Sequence, residues 1–494
     1  MLLLFGALSA DTVSSGQLKW IRQFGDGNVT EAIAVSTVGN NEYVFGLTSG
    51  AVPGQSNLGS LDVFVIKYDG SGNVVWARQF GSTGHDEGRG VATSTGVYIS
   101  GGTLGSFPGQ VNLGGIDAFV SKYDLDGNAI WNHQFGTAGE DIAWGMAADD
   151  SAIFVGGYTR GTFPGQNRSG SYDAFLTKFD PNGTQIWTVQ FGSSGSDEVI
   201  AVAVNGADIY VAGLVEGSLP GQVNLGGVDG FVRKYSANGT EVWTRETGTP
   251  YFDALAAIAV APDGFYTAGV TGGSFGNNAN KGGEDWFVQR YDGDGNRMWT
   301  VQFGTNGSDY AIAVAYSQER VYVAGRVAGA LQNQTYWGAD DAFVSELDTD
   351  GNEVWSSQFG TPATDFAVGL AVDGPNLFVA GHTDGNLSIH QSAGIDKTTG
   401  YVLKIETSAP RVITTTQTTT ITRPAVTTTQ RTTVTVTTSL TPEPIPSTVT
   451  TTLVTTSIVQ QGYEDYTPYL LVGLGIAILG LSIGVALRTR IRKR

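Results

Sequence analysis

Seven tryptophans stand at nearly equal spacing along the chain, and each lies in a similar stretch of sequence. They recur at intervals of 55 or 56 residues and are Trp20, Trp76, Trp131, Trp187, Trp243, Trp299 and Trp355. The clearest copy of the stretch covers residues 117–136, where Asp-Ala-Phe-Val-Ser-Lys-Tyr-Asp precedes Trp131. Self-similarity at a fixed period of this size predicts a repeat architecture.

Each repeat contains four short segments with the composition of β-strands, separated by turns rich in Gly, Asn and Asp. The first segment is small and apolar, as at 311–316, and the second follows at 321–325. The third begins with Asp-Ala-Phe-Val, and the fourth contains the tryptophan. Four antiparallel strands repeated seven times predict an all-β fold, a seven-bladed β-propeller of four-stranded blades around a channel. Because space is smallest near the axis, we expect the small-residue strand to be innermost and the Trp strand outermost.

The two ends of the repeat array complement each other. The first Trp segment, residues 18–25, has no Asp-Ala-Phe-Val segment before it, and the last repeat stops at residues 401–406 without a Trp segment after it. We therefore expect the N-terminal strand to complete the last blade and close the ring, which leaves no open sheet edge.

Three recurring motifs make the chain resemble a known repeat family. The motifs are Asp-Ala-Phe-Val-x-Lys-Tyr-Asp, Gly-Asn-x-x-Trp and Tyr-Val-x-Gly-x-Thr, and the family is the β-propeller repeat family of bacterial and archaeal secreted and cell-surface proteins. The resemblance spans residues 11–407 and implies the propeller fold. It implies no particular activity, since that family has no single chemistry. In two places the chain departs from the pattern: Glu246-Thr247 replaces the usual Gln-Phe, and residues 396–401 replace Asp-Ala-Phe.

Composition excludes several classes of partner and site. The formal net charge is -19 and the pI is near 4.5, whereas a nucleic-acid binder needs a basic surface to neutralise phosphates. The chain has no cysteine, which excludes disulfides and cysteine-ligated metals. Four histidines leave little for imidazole metal sites. No motif requires a cofactor.

Both ends of the chain predict a membrane destination. Residues 1–10 read as the apolar core of a partial secretory signal peptide. An uncharged run of 19 residues at 469–487 is long enough for a transmembrane helix, and a basic tail follows it. We therefore expect a single-pass protein of the cell membrane with the repeats outside and the C-terminus in the cytoplasm. The predicted domains are the signal segment (1–10), the propeller (11–407), a stalk (408–458), a juxtamembrane segment (459–468), the helix (469–487) and the cytoplasmic tail (488–494).

The predicted stalk and helix carry further signals. The stalk is rich in Thr and Pro and cannot bury a core, so we expect an extended, O-glycosylated segment. Asn-x-Ser/Thr sequences such as those at Asn182 and Asn238 suit N-glycosylation, although the same residues also arise from turn chemistry. In the helix, Gly480-x-x-x-Gly484 matches a helix-pairing motif. A helix-mediated homodimer is one interpretation, and ordinary glycine content of such helices is the other.

A second periodic series is acidic, and each member stands just before the innermost strand. Its members are Glu31, Asp86, Asp141, Asp197, Asp253, Asp309 and Asp365. In a closed ring they would surround one mouth of the channel, where carboxylates could bind a hard cation such as Ca²⁺ or attract a cationic ligand. The alternative is structural, with each Asp bonding the backbone N–H groups of its own turn. A feature present in every repeat favours the structural interpretation.

Two further series have mainly structural interpretations. One opens the third segment of each repeat and predicts a turn end or strand start: Asp62, Asp117, Asp173, Asp229, Asp285 and Asp341. The other belongs to the Gln-Phe-Gly motif and predicts a structural edge rather than a ligand contact: Gln23, Gln79, Gln134, Gln190, Gln302 and Gln358.

The loops that differ between repeats are the candidates for recognition. Pro-Gly-Gln occurs in four successive loops, followed by x-Asn in three of them, whereas the last three loops diverge. Loops that vary on a constant scaffold are where binding residues concentrate. The diverging loops place Tyr336 and Trp337, and further on His390, as candidate binding residues. A Trp337 side chain packed against its own blade is the alternative.

The function predicted from the sequence is binding or adhesion at the cell surface, to a glycan, a surface-layer component or a protein partner. No nucleophile elbow, His-Glu-x-x-His, phosphate loop or dinucleotide fingerprint occurs. The alternative is an extracytoplasmic enzyme that acts on a polysaccharide or small molecule with carboxylates at the channel mouth.

Overall fold

The computed structural model describes residues 16–387 and 398–407 and, after residue 408, only the backbone of four short strands. The described residues up to residue 407 belong to one compact unit. Within its described residues, 28 strands build seven four-stranded sheets, and neighbouring strands are antiparallel. The predicted seven-bladed propeller of four-stranded blades is confirmed.

Blades 1 to 3 run from the innermost strand outward in chain order. Blade 1 contains β2 (Thr30–Val38), β3 (Asn41–Thr48), β4 (Asp62–Asp69) and β5 (Val74–Phe80). Blade 2 contains β6 (Asp86–Thr93), β7 (Val97–Thr103), β8 (Asp117–Tyr123) and β9 (Ala129–Phe135). Blade 3 contains β10 (Asp141–Ala148), β11 (Ile153–Thr159), β12 (Asp173–Phe179) and β13 (Gln185–Phe191).

Blades 4 to 6 follow the same order, and blade 7 takes its outer strand from the N-terminus. Blade 4 contains β14 (Asp197–Asn205), β15 (Asp208–Val215), β16 (Asp229–Ser236) and β17 (Glu241–Thr247). Blade 5 contains β18 (Asp253–Ala261), β19 (Gly264–Thr271), β20 (Asp285–Asp292) and β21 (Arg297–Phe303). Blade 6 contains β22 (Tyr310–Ser317), β23 (Arg320–Val327), β24 (Asp341–Asp348) and β25 (Glu353–Phe359). Blade 7 contains β26 (Asp365–Asp373), β27 (Asn376–Thr383), β28 (Thr399–Thr407) and β1 (Gly16–Phe24).

The first strands of the blades form the inner ring. Each contacts the first strand of the next blade, from β2 and β6 around to β26 and β2, so the circle is complete. Each also carries a β-bulge near its start, as between Gly88 and Gly90 in β6. The small side chains predicted for the innermost strand therefore lie where the blades converge.

The tryptophans of the fourth strands join neighbouring blades. In blade 1, a Cβ added to Gly127 of the blade 2 turn would meet the Trp76 ring at 2.8 Å, and the indole N–H of Trp76 donates to the Leu125 carbonyl at 3.2 Å. Gly127 has a φ of +81°, which favours glycine. The same packing joins Trp20 to Gly72, Trp131 to Gly183, Trp187 to Gly239, Trp243 to Gly295 and Trp299 to Gly351.

The N-terminal strand closes the ring. β1 pairs antiparallel with β28 along its length, with Trp20 opposite Lys404, and forms the outer strand of blade 7. Closure by the N-terminal strand is thus confirmed. It joins the first and last repeats through backbone hydrogen bonds and leaves no blade short of a strand.

After the propeller, β29 (Val412–Thr415) pairs with β30 (Val436–Ser439), and β31 (Val472–Ile478) pairs with β32 (Leu481–Leu487). Apart from these backbone segments, the predicted signal peptide, stalk, juxtamembrane segment, transmembrane helix and tail lie outside the described residues. No helix long and apolar enough to cross a membrane occurs in the part of the chain that the structure describes.

Candidate functional site

All seven blades present equivalent connections on one face, which we call the top face. In blade 2 it carries the start of β6 at Asp86, the turn 81–85 that enters it and the loop 104–116 between the second and third strands. Parallel bridges join the loop before a third strand to the next turn, as between Leu61 and His85. The acidic series and the variable loops therefore share this face.

Six aspartates of the acidic series are buried and bonded within their own turns. Asp86, Asp141, Asp197, Asp253, Asp309 and Asp365 have no exposed surface. Each carboxylate accepts hydrogen bonds from the backbone N–H and the hydroxyl of a Ser or Thr four residues earlier, as Asp365 does from Thr361 at 2.6 and 3.0 Å. Burial raises the pKa of Asp197 to about 6 and that of Asp365 to about 7.

Glu31 does not occupy the blade 1 position of this series, and its assignment to the acidic ring is wrong. Thr30 pairs with Thr48 as Asp86 pairs with Thr103, so Thr30 is the equivalent residue. Thr30 follows Trp20 by ten residues, as each aspartate follows its own tryptophan. Among the described residues, no group of three or more His, Asp or Glu side chains is placed to hold a metal ion.

The Gln and third-strand Asp series meet on the top face as an interstrand clamp. The amide of Gln134 donates to the Asp117 carboxylate at 2.8 Å and to the Gly105 carbonyl at 2.9 Å, while its oxygen accepts from the Phe107 N–H at 3.2 Å. Equivalent Gln–Asp bonds join Gln79 to Asp62, Gln190 to Asp173, Gln302 to Asp285 and Gln358 to Asp341. These side chains hold the loop onto its blade, which is a structural role.

Two positions at the start of the innermost strands differ from blade to blade, and we call them the mouth positions. The first follows the buried Asp or Thr and holds Glu31, Glu87, Ile142, Glu198, Ala254, Tyr310 and Phe366. The second is the bulged residue and holds Ile33, Arg89, Trp144, Ile200, Ala256, Ile312 and Val368. Most of these side chains are partly exposed, and the rest of each blade covers them on the outside.

Blades 1 to 3 contribute an interacting charged set to the mouth positions. The Arg89 guanidinium carbon lies 4.3 Å from the centroid of the Trp144 ring, a cation–π contact. Arg89 also forms an ion pair with Glu87, whose other oxygen lies 2.8 Å from Nε2 of His85. Although burial acts to raise it, Arg89 and His85 hold the pKa of Glu87 below its ordinary value. Burial raises the pKa of Glu31, and the nearby Arg89 only partly offsets this.

Glu198 extends the charged region toward blade 4. Burial raises its pKa, and the charge of Glu140 adds to this. Glu140 accepts a hydrogen bond of 2.7 Å from the Tyr158 hydroxyl and pairs with Arg160 at 3.2 Å. Arg160 in turn lies over the Tyr172 ring, 4.4 Å from its centroid. Glu198 therefore lies near a cluster of one carboxylate, one guanidinium group and two tyrosines.

The opposite side of the mouth is aromatic. The Arg326 guanidinium lies 4.1 Å from the Tyr310 ring centroid and 5.2 Å from that of Phe366, and it pairs with Asp340 at 2.9 Å. The Phe366 ring contacts His382 at a centroid distance of 4.9 Å. Burial lowers the pKa of His382 to about 4, so this imidazole is neutral at physiological pH.

The loop candidates lie on the same face. Tyr336 and Trp337 are 38% and 40% exposed in the blade 6 loop. The Tyr336 hydroxyl donates to the Ala339 carbonyl at 2.6 Å, and the Trp337 N–H donates to Asp341 at 2.8 Å. Two aromatic side chains are therefore presented to solvent on a loop held by its backbone. His390 lies outside the described residues.

Apart from Glu31, sequence reasoning missed the mouth positions, including Arg89, Trp144 and Glu198. The signal that could have found them is variation at two fixed places in the repeat, one and three residues after the recurring Asp. Aromatic ring faces stack on sugars and cations, and carboxylates accept hydrogen bonds from hydroxyl or ammonium groups. The mouth positions can thus recognise a polar ligand.

The chain is similar in sequence to curated proteins over part of their length. No protein-family model matches the chain. The chain is similar to the regulatory protein FlaEY of Caulobacter vibrioides, at 25% identity over 445 residues that cover 79% of this chain and 46% of that protein. It is also similar to an uncharacterised WD repeat-containing protein of Acanthamoeba polyphaga mimivirus, at 27% identity over 164 residues that cover 28% of this chain and 12% of that protein. The chain therefore spans less than half the length of these curated relatives.

Solved structures with a similar architecture include two WD40 domains. The WD40 domain of Neurospora crassa Pan2 has 13% identity and a TM-score of 0.47, and the match covers 80% of this chain and 96% of that one. The WD40 propeller of Doa1 has 9% identity and a TM-score of 0.43, and the match covers 79% of this chain and 96% of that one. By its own seven sheets, the chain is a seven-bladed β-propeller protein.

Proposed function

We propose that the chain is a single-pass cell-surface binding protein, in which the propeller stands on a stalk and receives a glycan or protein partner on its top face. The observation that carries the proposal is the contrast between constant and variable positions on that face. Buried Asp and Gln side chains repeat in nearly every blade, whereas the adjoining mouth positions carry different charged and aromatic groups in each. A scaffold that is constant everywhere except around one opening suits recognition.

The mouth positions favour a ligand with hydroxyl or ammonium groups. Glu31 and Glu87 supply carboxylates near one another, since the charge of Glu87 adds to the burial that raises the pKa of Glu31. Glu198 supplies a further carboxylate and lies near Glu140, whose charge adds to the burial that raises its pKa. Trp144 supplies an aromatic ring, and the Arg89 guanidinium group contacts that ring through a cation–π interaction. The regulatory role in the name of the Caulobacter relative also fits a protein that acts through binding.

The test is ligand capture by the soluble propeller, residues 16–407, on a glycan array and on immobilised surface proteins. We expect a ligand whose affinity falls about tenfold or more in Trp144→Ala, because an aromatic contact at the centre of a binding surface is lost. Asp350→Ala, in an exposed turn on the opposite face, is the matched control and leaves binding unchanged. If neither Trp144→Ala nor Glu87→Gln changes the affinity for the ligand, the ligand binds elsewhere and the proposed site is refuted.

The membrane anchor is tested separately in cells that express the full chain. We expect the protein in the membrane fraction, with the propeller open to added protease and a C-terminal tag protected, since the basic tail follows the apolar run. Removal of residues 469–494 should release the propeller into the medium. Protection of the propeller, with cleavage of the tag, would reverse the proposed orientation.

A second candidate function, hydrolysis of a polysaccharide, is favoured by one pair of carboxyl groups. Burial raises the pKa of Glu31, whereas Arg89 and His85 hold that of the neighbouring Glu87 low. A carboxyl group with a raised pKa beside one with a lowered pKa is the combination used for glycosidic cleavage. Turnover of a polysaccharide that is lost in both Glu31→Gln and Glu87→Gln, at unchanged melting temperature, would establish it. Binding without turnover leaves the first proposal in place.

A further inference from the structure

The boundary between blades 4 and 5 lacks an aromatic side chain that is present at the other six boundaries. The last residue of the fourth strand is Phe24, Phe80, Phe135, Phe191, Phe303 or Phe359, but Thr247 in blade 4. Where this residue is phenylalanine, its aromatic side chain packs against the next blade of the propeller. Phe80, for example, lies 5.3 Å from Tyr123 and 6.3 Å from Phe107, between ring centroids.

A cavity occupies the corresponding place beside Thr247. Its volume is about 540 Å³, and its walls include Phe275 and Tyr291. These two residues stand in blade 5 where Phe107 and Tyr123 stand in blade 2, and both are buried, with Phe275 6% and Tyr291 2% exposed. The volume falls within the range of small-molecule and side-chain pockets.

One wall of the cavity consists of hydrogen-bonded polar side chains, and two arginines also line the cavity. The Gln289 amide donates to the Thr247 hydroxyl at 2.9 Å, and the Tyr291 hydroxyl donates to Gln289 at 2.6 Å. Arg297 also donates to the Thr247 hydroxyl, at 3.1 Å, and Arg245 lines the same cavity. Two guanidinium groups and the Glu246 carboxyl group thus line one cavity in a chain of net charge -19.

The surface around the opening is apolar. Leu225 and Pro250 line the cavity. Tyr251 and Phe252 follow Pro250 directly and are 63% and 43% exposed. The equivalent residues are small or polar in other turns, such as Gly84-His85 before blade 2 and Gly139-Glu140 before blade 3. An aromatic rim beside a cavity is the pattern of a site that receives a side chain from a partner.

We propose that this cavity is a docking site for a peptide partner, which inserts an aromatic side chain and places an adjacent carboxylate against Arg245 and Arg297. The ring takes the position that phenylalanine holds at the other blade boundaries. The guanidinium groups supply charge-assisted hydrogen bonds to the carboxylate. The site is separate from the mouth positions and does not depend on the function proposed for them.

The first experiment measures binding to the propeller, residues 16–407, by calorimetry and ligand-observed NMR. The probes are N-acetyl-L-phenylalanine, its neutral amide, N-acetyl-L-alanine and a blocked Gly-Phe-Asp-Gly peptide. We expect the peptide and N-acetyl-L-phenylalanine to bind, the amide to bind about fivefold or more weakly, and N-acetyl-L-alanine not to bind. If N-acetyl-L-phenylalanine binds and the peptide does not, the ligand is a free aromatic acid and the peptide partner is refuted.

The second experiment fills the cavity with the residue used elsewhere in the repeat. Thr247→Phe should abolish binding of the aromatic probes, because the added ring takes the place proposed for the ligand, and the melting temperature shows whether the variant is folded. Arg297→Gln should keep aromatic binding and remove the preference for the carboxylate. Asp350→Ala is the control.

Equal binding by the wild-type protein and Thr247→Phe would overturn the proposal, as would the absence of any probe binding. If Thr247→Phe fails to fold, Thr247→Leu provides the same test with a smaller side chain. Arg297→Gln tests the carboxylate contact in either case, since its side chain is exposed.

Discussion

The side-chain amide of Gln190 donates a hydrogen bond of 2.9 Å to the carboxylate of Asp173 and ties the loop of blade 3 to its outer strand. Blade 4 has Glu246 in place of the glutamine. One Glu246 oxygen still accepts from the Leu219 N–H, at 2.6 Å, but the other is buried without a partner. An ionised carboxylate cannot donate to Asp229, whereas a protonated one can. Burial raises the pKa of Glu246, and the nearby Asp229 raises it further.

Replacing Glu246 with glutamine should therefore stabilise the propeller. An acid whose pKa is higher in the folded state contributes stability at low pH and loses it as the pH rises through that pKa. We expect Glu246→Gln to raise the free energy of unfolding by about 1–3 kcal/mol above neutral pH, since it restores a donor to a buried acceptor. The gain should shrink below pH 4. Urea unfolding curves measured at pH 4 and pH 8 provide the check.

The converse substitution serves as its control. Gln190→Glu puts a carboxyl group where Asp173 now accepts from an amide, so it should destabilise the propeller more at pH 8 than at pH 4. A Gln190→Glu variant whose stability has the same pH dependence as that of the wild-type protein would contradict the explanation that a protonated Glu246 donates to Asp229.

The buried aspartates predict a fall in stability between pH 4 and pH 7. The pKa of Asp365 is raised from 3.8 to about 7, and that of Asp197 from 3.8 to about 6, in both cases mainly by burial. Their stabilising contribution is complete below about pH 4 and is lost as the pH rises through the folded values. We expect Asp365→Asn to remove part of this loss, on the order of 3 kcal/mol between pH 4 and pH 8.

Thermal unfolding of the wild-type propeller and Asp365→Asn across that pH range tests this expectation. Asparagine keeps an oxygen that accepts from the Thr361 N–H, so the variant should still fold. Asp350→Asn, in an exposed turn, should follow the wild-type curve. If the wild-type melting temperature rose from pH 4 to pH 7, the account of the buried aspartates would be wrong.

Much of the fold follows from the repeat because its determinants are local or lie one repeat apart. Trp76 and Gly127 are both recurring residues, and the contact between them is the same at the next boundary. The small apolar residues of the first segment identify the innermost strand, since large side chains do not fit where the blades converge. The missing strand at each end then requires closure by β1.

The candidate site could be predicted much less well. Arg89 and Trp144 lie one repeat apart, and they meet because a bulge in each innermost strand turns both side chains toward the mouth. The sequence around Arg89 does not indicate that its partner is Trp144, and the sequence around Trp144 does not indicate Arg89. The assignment of Glu31 was wrong by one residue. The equivalent residue lies ten positions after the tryptophan and is Thr30, but Glu31 beside it has the carboxylate that the series predicted. For the Asp86 series, recurrence in every repeat favoured the structural interpretation, and each of its carboxylates does accept hydrogen bonds within its own turn.

The contact between Trp76 and Gly127 predicts a cost for a single methyl group. Gly127→Ala adds strain at a φ of +81° and places Cβ 2.8 Å from the indole. We expect a loss of about 2–4 kcal/mol, from strain together with displacement of the ring. Gly206→Ala is the matched control, because Gly206 has a φ of +61° and nothing within 4 Å of the added carbon.

Chemical denaturation of the two variants separates strain from packing. Gly206→Ala should lose about 1 kcal/mol, the cost of strain alone. The difference between the variants then measures the indole contact that joins blade 1 to blade 2. Equal losses for the two substitutions would show that the tryptophan does not set the spacing between these blades.

Removal of β1 should abolish the cooperative unfolding of the propeller. The strand supplies the outer edge of blade 7, and its Trp20 packs on Gly72 of blade 1, so its loss exposes β28 and disconnects the last blade from the first. A protein that begins at residue 25 should lose most of the free energy of unfolding, which is roughly 5–15 kcal/mol for a typical domain, and should associate through the open edge.

A protein that begins at residue 16 keeps β1 and should unfold like the full chain. Circular dichroism and size-exclusion chromatography distinguish the two, and a synthetic Gly16–Phe24 peptide added to the shorter protein should restore part of the transition. A monomer beginning at residue 25 with an unchanged transition would refute closure by the N-terminal strand.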